Sequence, residues 1–362
     1  TVAFGQVDDR VGSRKVIVGS LVAMCSLGLV VFLGKPLGPA TFWIFGLALC
    51  VFVGPVQAAS RSYLARITPR GSEGEMFGLY ATTGRAVSFL APFMYSSAIT
   101  LAHAVSGRPK DDVAIFGILG LVAVLLAGLL AFLPVKAQAA PSRLGSREPP
   151  VSGPDRSVVW FLVSSAVFRD GLAGIFAFGG VLAGVAFGFK REEVIMFGIA
   201  ANLVAGVATV VFGQLDDRIG PRKVIVGSLA SMCVLALVVF FGKPAGPIVF
   251  WVFGLALCVF VGPTQAASRS YLARVAPPGS GAEMFGLYAT TGRAVSFLSS
   301  VMYSSSITLA SKMSGRPKDD VAIYGILGIV VILLVGLATF IPVRPETETS
   351  EQSDRAAART PA

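Results

Sequence analysis

Apolar blocks of about 19 to 30 residues recur along the whole of this sequence, each long enough to cross a hydrocarbon layer of about 30 Å. A soluble core cannot absorb so many such blocks. Charge agrees, because only 14% of residues are charged, against about 25% in an ordinary soluble domain. Lipid offers no partner to a bare backbone N–H or C=O, so the blocks must be helices. The expected fold is therefore an all-α polytopic membrane protein with the lipid bilayer as its first partner. A soluble enzyme, a nucleic-acid binder and a disordered chain all fit poorly.

The chain repeats itself. Shifted by 208, Thr1–Val135 lies over Thr209–Val343 without a gap, with roughly three quarters of positions identical. FGQVDDRVGSRKVIVGS from Phe4 meets FGQLDDRIGPRKVIVGS from Phe212, and EMFGLYATTGRAVSFL recurs at Glu75 and Glu283. By apolar length the first copy has four spans, about 16–34, 39–58, 76–101 and 113–135. The second has six, about 157–188, 192–213, 224–242, 247–266, 284–309 and 321–343. About ten transmembrane helices in two parallel-related bundles, four plus six, are expected. Residues 136–156 are polar and Pro-rich and read as a linker, and residues 346–362 read as a disordered tail. The chain opens on Thr, so the first copy is expected to lack its two opening spans.

Lys and Arg set the orientation. With the DDR loops on the cytoplasmic side, about 18 basic residues lie there and about 9 opposite. Linker and C-terminus are then cytoplasmic and the protein sits in the cell membrane. The net charge of +10 becomes a topological feature that calls for no nucleic acid.

The short turn Gly213-Gln-Leu-Asp-Asp-Arg-Ile-Gly-Pro-Arg-Lys223 joins two spans of the second copy. Gly220 can take a positive φ there. Asp217 can sit at a helix N-terminus or pair with Arg218 or Arg222. With Lys223 these residues form a charged conformational gate, repeated in the first copy as Gly5, Asp9, Arg10, Gly12, Arg14 and Lys15. An ordinary charged loop is the alternative. The string resembles the signature loop of the major facilitator superfamily. GPTQAASRSYLARVAPPGSGAEMFGLYATTGRAVSFL from Gly262 and FRDGLAGIFAFGGVLAGVAFGF from Phe168 narrow the likeness. They resemble the C-terminal half of the autophagy-linked vacuolar amino-acid effluxer family and its bacterial members. That resemblance implies a major-facilitator-like fold and alternating-access transport of a small solute, with amino-acid efflux as the activity.

Three ionisable residues fall deep in the spans of the second copy: Arg169, Asp170 and Arg293, with Arg85 the counterpart of Arg293. Each costs about 2.5–3.5 kcal/mol if it faces lipid, so all should face the interior or one another. Pairing of Asp170 with Arg169 or Arg293 is expected, which leaves one cation for a carboxylate-bearing solute. A purely structural ion pair is the alternative. Asn202, Gln265, Tyr288, Thr290 and Ser296 are further cavity candidates, with Thr290, Arg293 and Ser296 on one helical face. Gly180, Gly184 and Gly188 can admit a close neighbour, and Gly262-Pro263 should bend its span.

Enzymatic chemistry finds no support. The sequence has no Walker loop, HExxH or GxSxG motif, and no cofactor or metal is expected. Cys25, Cys50, Cys233 and Cys258 read as small buried apolar residues, and the single His, His103, as incidental. A second reading makes the chain a non-transporting half-protein that only associates with other helices. Nothing in the sequence sets an oligomeric state.

Overall fold

The computed structural model describes residues 2–69, 71–135, 156–277 and 279–343. Most of the linker read from the sequence, and the whole of the tail, lie outside them. The described residues are helical and hold no strand. In chain order the helices are α1 Val2–Val11, α2 Ser13–Leu33, α3 Pro39–Ile67, α4 Glu73–Ala86, α5 Leu90–Ser106 and α6 Gly117–Phe132. They continue with α7 Arg156–Phe187, α8 Arg191–Ile219, α9 Pro221–Phe241, α10 Pro247–Val249 and α11 Leu255–Val275. A five-residue π turn, Phe250–Gly254, links α10 to α11 without a break. The last three are α12 Gly281–Ala294, α13 Leu298–Ser314 and α14 Gly325–Phe340. Shifting by 208 superposes the bounds of α2 on α9, α4 on α12, α5 on α13 and α6 on α14.

Among the described residues, nine stretches are long and apolar enough to cross a membrane. The expected tenth, about 284–309, is the exception. There α13 carries Ser299, Ser300, Ser306 and Lys312 where α5 carries Ala91, Pro92, Ala98 and Ala104; a turn at Val295–Phe297 separates α12 from α13, as one at Val87–Phe89 separates α4 from α5. A serine sits in each of these turns. Ser296 Oγ donates to the carbonyl of Arg293 at 2.9 Å, and Ser88 Oγ donates to that of Arg85 at 2.8 Å. Such back-bonding competes with the helical ladder.

Two compact units emerge. The first comprises Thr1–Pro69, Thr83–Ser146 and Pro278–Ala289. In it α2 packs on α3 and α6, and α5 packs on α6. Its centre is Val16, Ile17, Ala59 and Tyr63, ringed by Phe4, Leu21, Ile67 and Phe132. The second comprises Arg70–Thr82, Arg147–Pro277 and Thr290–Ala362. There α11 packs on α8 and α9, while α14 packs on α7, α9 and α13. Phe161, Phe168, Tyr271 and Phe340 meet at its heart, mostly edge to face. Gly336 lets α14 reach the α7 backbone, since a Cβ there would lie 2.9 Å from Phe168 N. The opening turns of α4 thus belong to the second unit, and those of α12 to the first.

Several sequence expectations change. Gly188 is no packing position. It follows the last residue of α7 with φ +70, where only glycine is unstrained. Cys50 is exposed, whereas Cys25, Cys233 and Cys258 are buried as expected. His103 is not incidental. Its Nδ1 meets the carbonyl of Arg108 at 2.6 Å, as Ser311 Oγ meets that of Arg316 at 2.6 Å, so both fasten a helix end to the loop that follows.

Candidate functional site

The charged turns build two matching clasps, one in each unit. In the second unit Gly220 (φ +89) turns the chain between α8 and α9. Asp217, near the end of α8, accepts the backbone N–H groups of Gly74 and Glu75, both at 2.8 Å. These N–H groups belong to the first turn of α4 and have no partner within that helix, so a carboxylate there gains hydrogen bonds and the favourable end of the helix dipole. Arg274 closes the clasp from the other side, its Nη2 2.8 Å from Asp217. Gly213 permits the approach, because a Cβ there would lie 2.7 Å from Gly74 O.

The first unit repeats this. Asp9 accepts from the N–H groups of Ala282 and Glu283 at 3.1 and 2.9 Å, and from Arg66 at 2.7 Å. Gly5 stands where Gly213 does, 2.8 Å in Cβ terms from Ala282 O, and Gly12 turns with φ +98.

The sequence offered Asp217 a helix N-terminus or a pairing with Arg218 or Arg222, and the structure gives it the start of α4. Asp217 pairs with Arg274, not with Arg218 or Arg222. Arg222 instead donates to the carbonyls of Ile341 and Val343 at 2.7 and 3.2 Å, and Arg14 to that of Leu133 at 2.8 Å. These are the exposed C-terminal carbonyls of α14 and α6, where a cation is favoured. Arg10, Lys15, Arg218 and Lys223 are exposed and take no part in either clasp. Spacing did not single out the missed arginines: Arg66 follows Asp9, and Arg274 follows Asp217, by 57 residues, but the repeat preserves the distance to other arginines as well.

The clasps differ in their surroundings. Asp8 is buried beside the first and accepts from Ser13 Oγ at 2.6 Å. Burial raises its pKa to about 6, against the lowering pull of Ser13 and Arg66. At the counterpart of Ser13 the second clasp has Pro221, so the buried Asp216 loses that donor. It meets Arg274 only at 3.5 Å. Glu73, whose counterpart is Gly281, adds a third carboxylate there, 3.5 Å from Arg274.

A second constellation lies inside the second unit, at the turn between α12 and α13. Asp170 on α7 is only 4% exposed. It accepts the backbone N–H of Ser299 at 2.5 Å and Ser299 Oγ at 3.2 Å. These donors hold Asp170 where the sequence expected Arg169 or Arg293. The carboxylate is spent instead on N–H and O–H donors, the former exposed because α13 starts anew at Leu298. Its neighbour Arg169 lies against Gly292, whose added Cβ would fall 2.8 Å from the guanidinium carbon. The cation thus sits near the C-terminal end of α12 and the anion at the N-terminal end of α13, each matching the local dipole. Arg293 and Thr290 are exposed, Arg85 is half-buried and Tyr288 is buried. Ser296 leaves the expected common face, because α12 ends at Ala294. Asn202 donates to Gly198 O at 2.9 Å along its own helix, and Gln265 is half-buried.

These features define a polytopic helical membrane protein with paired charged turns and a broken helix. A family model described as Major Facilitator Superfamily matches residues 1–300, and the chain belongs to that superfamily. The superfamily is one of carriers, not enzymes. An uncharacterized MFS-type transporter of Bacillus subtilis (strain 168), YxiO, is 25% identical over 200 residues, or 55% of this chain. The match spans 44% of that relative. The E. coli fucose:proton symporter FucP superposes with a TM-score of 0.66 at 14% identity, over 93% of this chain and 86% of that one. The proton:xylose symporter XylE gives 0.67 at 14%, over 92% and 82%. The human organic anion transporter MFSD10 gives 0.66 at 14%, over 94% and 79%. At such identities the likeness is one of fold.

Proposed function

We propose that the chain is a secondary transporter that moves a small solute by alternating access, with amino-acid efflux as its activity. The observation that carries this reading is the paired clasp. A carboxylate that holds a helix N-terminus and an arginine together is an on–off contact. Closed, it fixes one arrangement of the helices; opened, it releases them. The basic bias puts both clasps, the linker and the C-terminus on the cytoplasmic face of the cell membrane.

Arg169 and Asp170, at the two ends of the α12–α13 break, are the substrate and coupling candidates. Broken spans present half-helix ends to solutes and ions near the bilayer midplane. A guanidinium there suits a carboxylate-bearing solute, as an amino acid is. Arg293, Arg85, Asn202, Gln265, Tyr288, Thr290 and Ser296 are the remaining candidates. The domain reading is a four-span segment (1–135) and a six-span segment (157–345) joined by a cytoplasmic linker.

The test is uptake of labelled amino acids into proteoliposomes, with and without an imposed pH gradient. Saturable uptake above protein-free vesicles supports the reading. If every amino acid enters only at the protein-free rate, the alternative of a non-transporting half-protein takes its place.

A further inference from the structure

The second unit holds a half-open pocket of about 60 Å³ that the transport reading does not use. Its wall is almost wholly apolar and includes Phe178, Gly179, Leu182, Phe250, Leu257 and Tyr303. Tyr303 is the exception. Its ring is stacked on Phe178, with centroids 4.2 Å apart and planes 9° apart, and rests on Gly325. Tyr303 is only 5% exposed, yet its hydroxyl has no hydrogen-bond partner among the described residues. A buried hydroxyl without a partner is costly, and here stacking holds it in place.

A second, independent feature borders the same space. Phe250–Gly254 is a π turn, and both of its end residues line the cavity. The first segment carries the near-identical FWIFG at Phe42–Gly46 and remains α-helical. Local sequence therefore does not make the π turn. Packing does: Phe250 is gripped by Phe187, Phe189 and Phe197, whereas Phe42 is 57% exposed. Single π turns are frequent at functional sites, because they widen the helix and re-aim its side chains.

From the apolar wall, the unsatisfied Tyr303 hydroxyl and the π turn, we infer a binding site for a small uncharged molecule. It is mostly apolar and carries one oxygen that pairs with Tyr303. The volume holds on the order of four or five water-sized groups, which sets the scale at a short-chain alcohol or ketone. An apolar space of this kind excludes water but accepts such a guest. The site is distinct from the clasps and from Arg169 and Asp170.

The test uses the full chain in lipid nanodiscs, with 4,4,4-trifluorobutan-1-ol and 1,1,1-trifluorobutane followed by fluorine NMR. Protein-free discs supply the partition background. A saturable component is expected for the alcohol. Gly179→Leu is the variant that fills the space, starting from an added Cβ that meets nothing within 4 Å. This variant loses the saturable component while melting at or above the wild-type temperature. Tyr303→Phe, which keeps the ring and removes the oxygen, weakens the alcohol several-fold and leaves trifluorobutane unchanged. Three results each overturn the inference: binding no greater than in empty discs, undiminished binding by a folded Gly179→Leu protein, or unaltered alcohol affinity in Tyr303→Phe.

Discussion

Asp170 on α7 caps the backbone N–H of Ser299, 129 residues further along the chain. A helix that restarts after a turn has bare N–H groups, and here the cap comes from another helix rather than from the preceding residue. Removing it should destabilise the second unit more than an exposed cap would. Asp170→Ala is expected to cost about 2 kcal/mol and Ser299→Ala about 1 kcal/mol, with a non-additive double variant. Thermal unfolding of the four proteins measures this. Additive losses would mean the two residues act separately.

Arg169 owes its place to Gly292. Gly292→Val puts side-chain atoms where the guanidinium lies and should cost about 1–3 kcal/mol. Arg169→Ala in the same chain should recover part of that loss. The same four-protein unfolding design decides it, and absence of recovery would locate the clash elsewhere.

Asp8 makes the first clasp sensitive to pH. Its pKa in the folded protein, about 6, lies above the ordinary 3.8, so the folded state holds the proton more tightly than the unfolded one. The contribution favours folding most below pH 3.8 and is lost as pH rises through about 6. Between pH 5 and 7 the melting temperature of the wild type should therefore fall relative to that of Asp8→Asn. Parallel curves for the two proteins would show that Asp8 is not the titrating group.

Each clasp protects one helix start. Asp217→Ala should speed hydrogen exchange in peptides that begin at Gly74, and Asp9→Ala in those that begin at Ala282. Each variant should leave the other helix start unaltered. Loss of a charge-assisted bond of about 1.5–3 kcal/mol predicts exchange faster by roughly ten-fold or more. Uniform acceleration throughout the chain would indicate general destabilisation instead.

Much of the architecture was legible because lipid leaves few options. Apolar length located nearly every span, and the DDR turns announced the acidic half of each clasp. What escaped was set by contacts distant in sequence. Nothing near Asp217 indicates that its arginine is Arg274, since Arg222 is closer and of the same charge. The hold of Ser299 on Asp170 escaped for the same reason. Counting charges left an arginine as its partner, while the break after Ala294 supplied a stronger claimant in the bare N–H of Ser299. The FWIFG and FWVFG segments make the point from the other direction: nearly one sequence forms an α turn in one place and a π turn in the other, according to which phenylalanines surround it.

Counterflow tests the central claim most directly. Proteoliposomes are loaded with an unlabelled amino acid and diluted into a trace of the same compound in labelled form, with no ion gradient. A carrier that exposes its site alternately to the two sides should concentrate label transiently inside, and breaking both clasps with Asp9→Asn and Asp217→Asn should alter the height of that overshoot. Label that never exceeds simple equilibration, in the wild type and the double variant alike, would contradict alternating access.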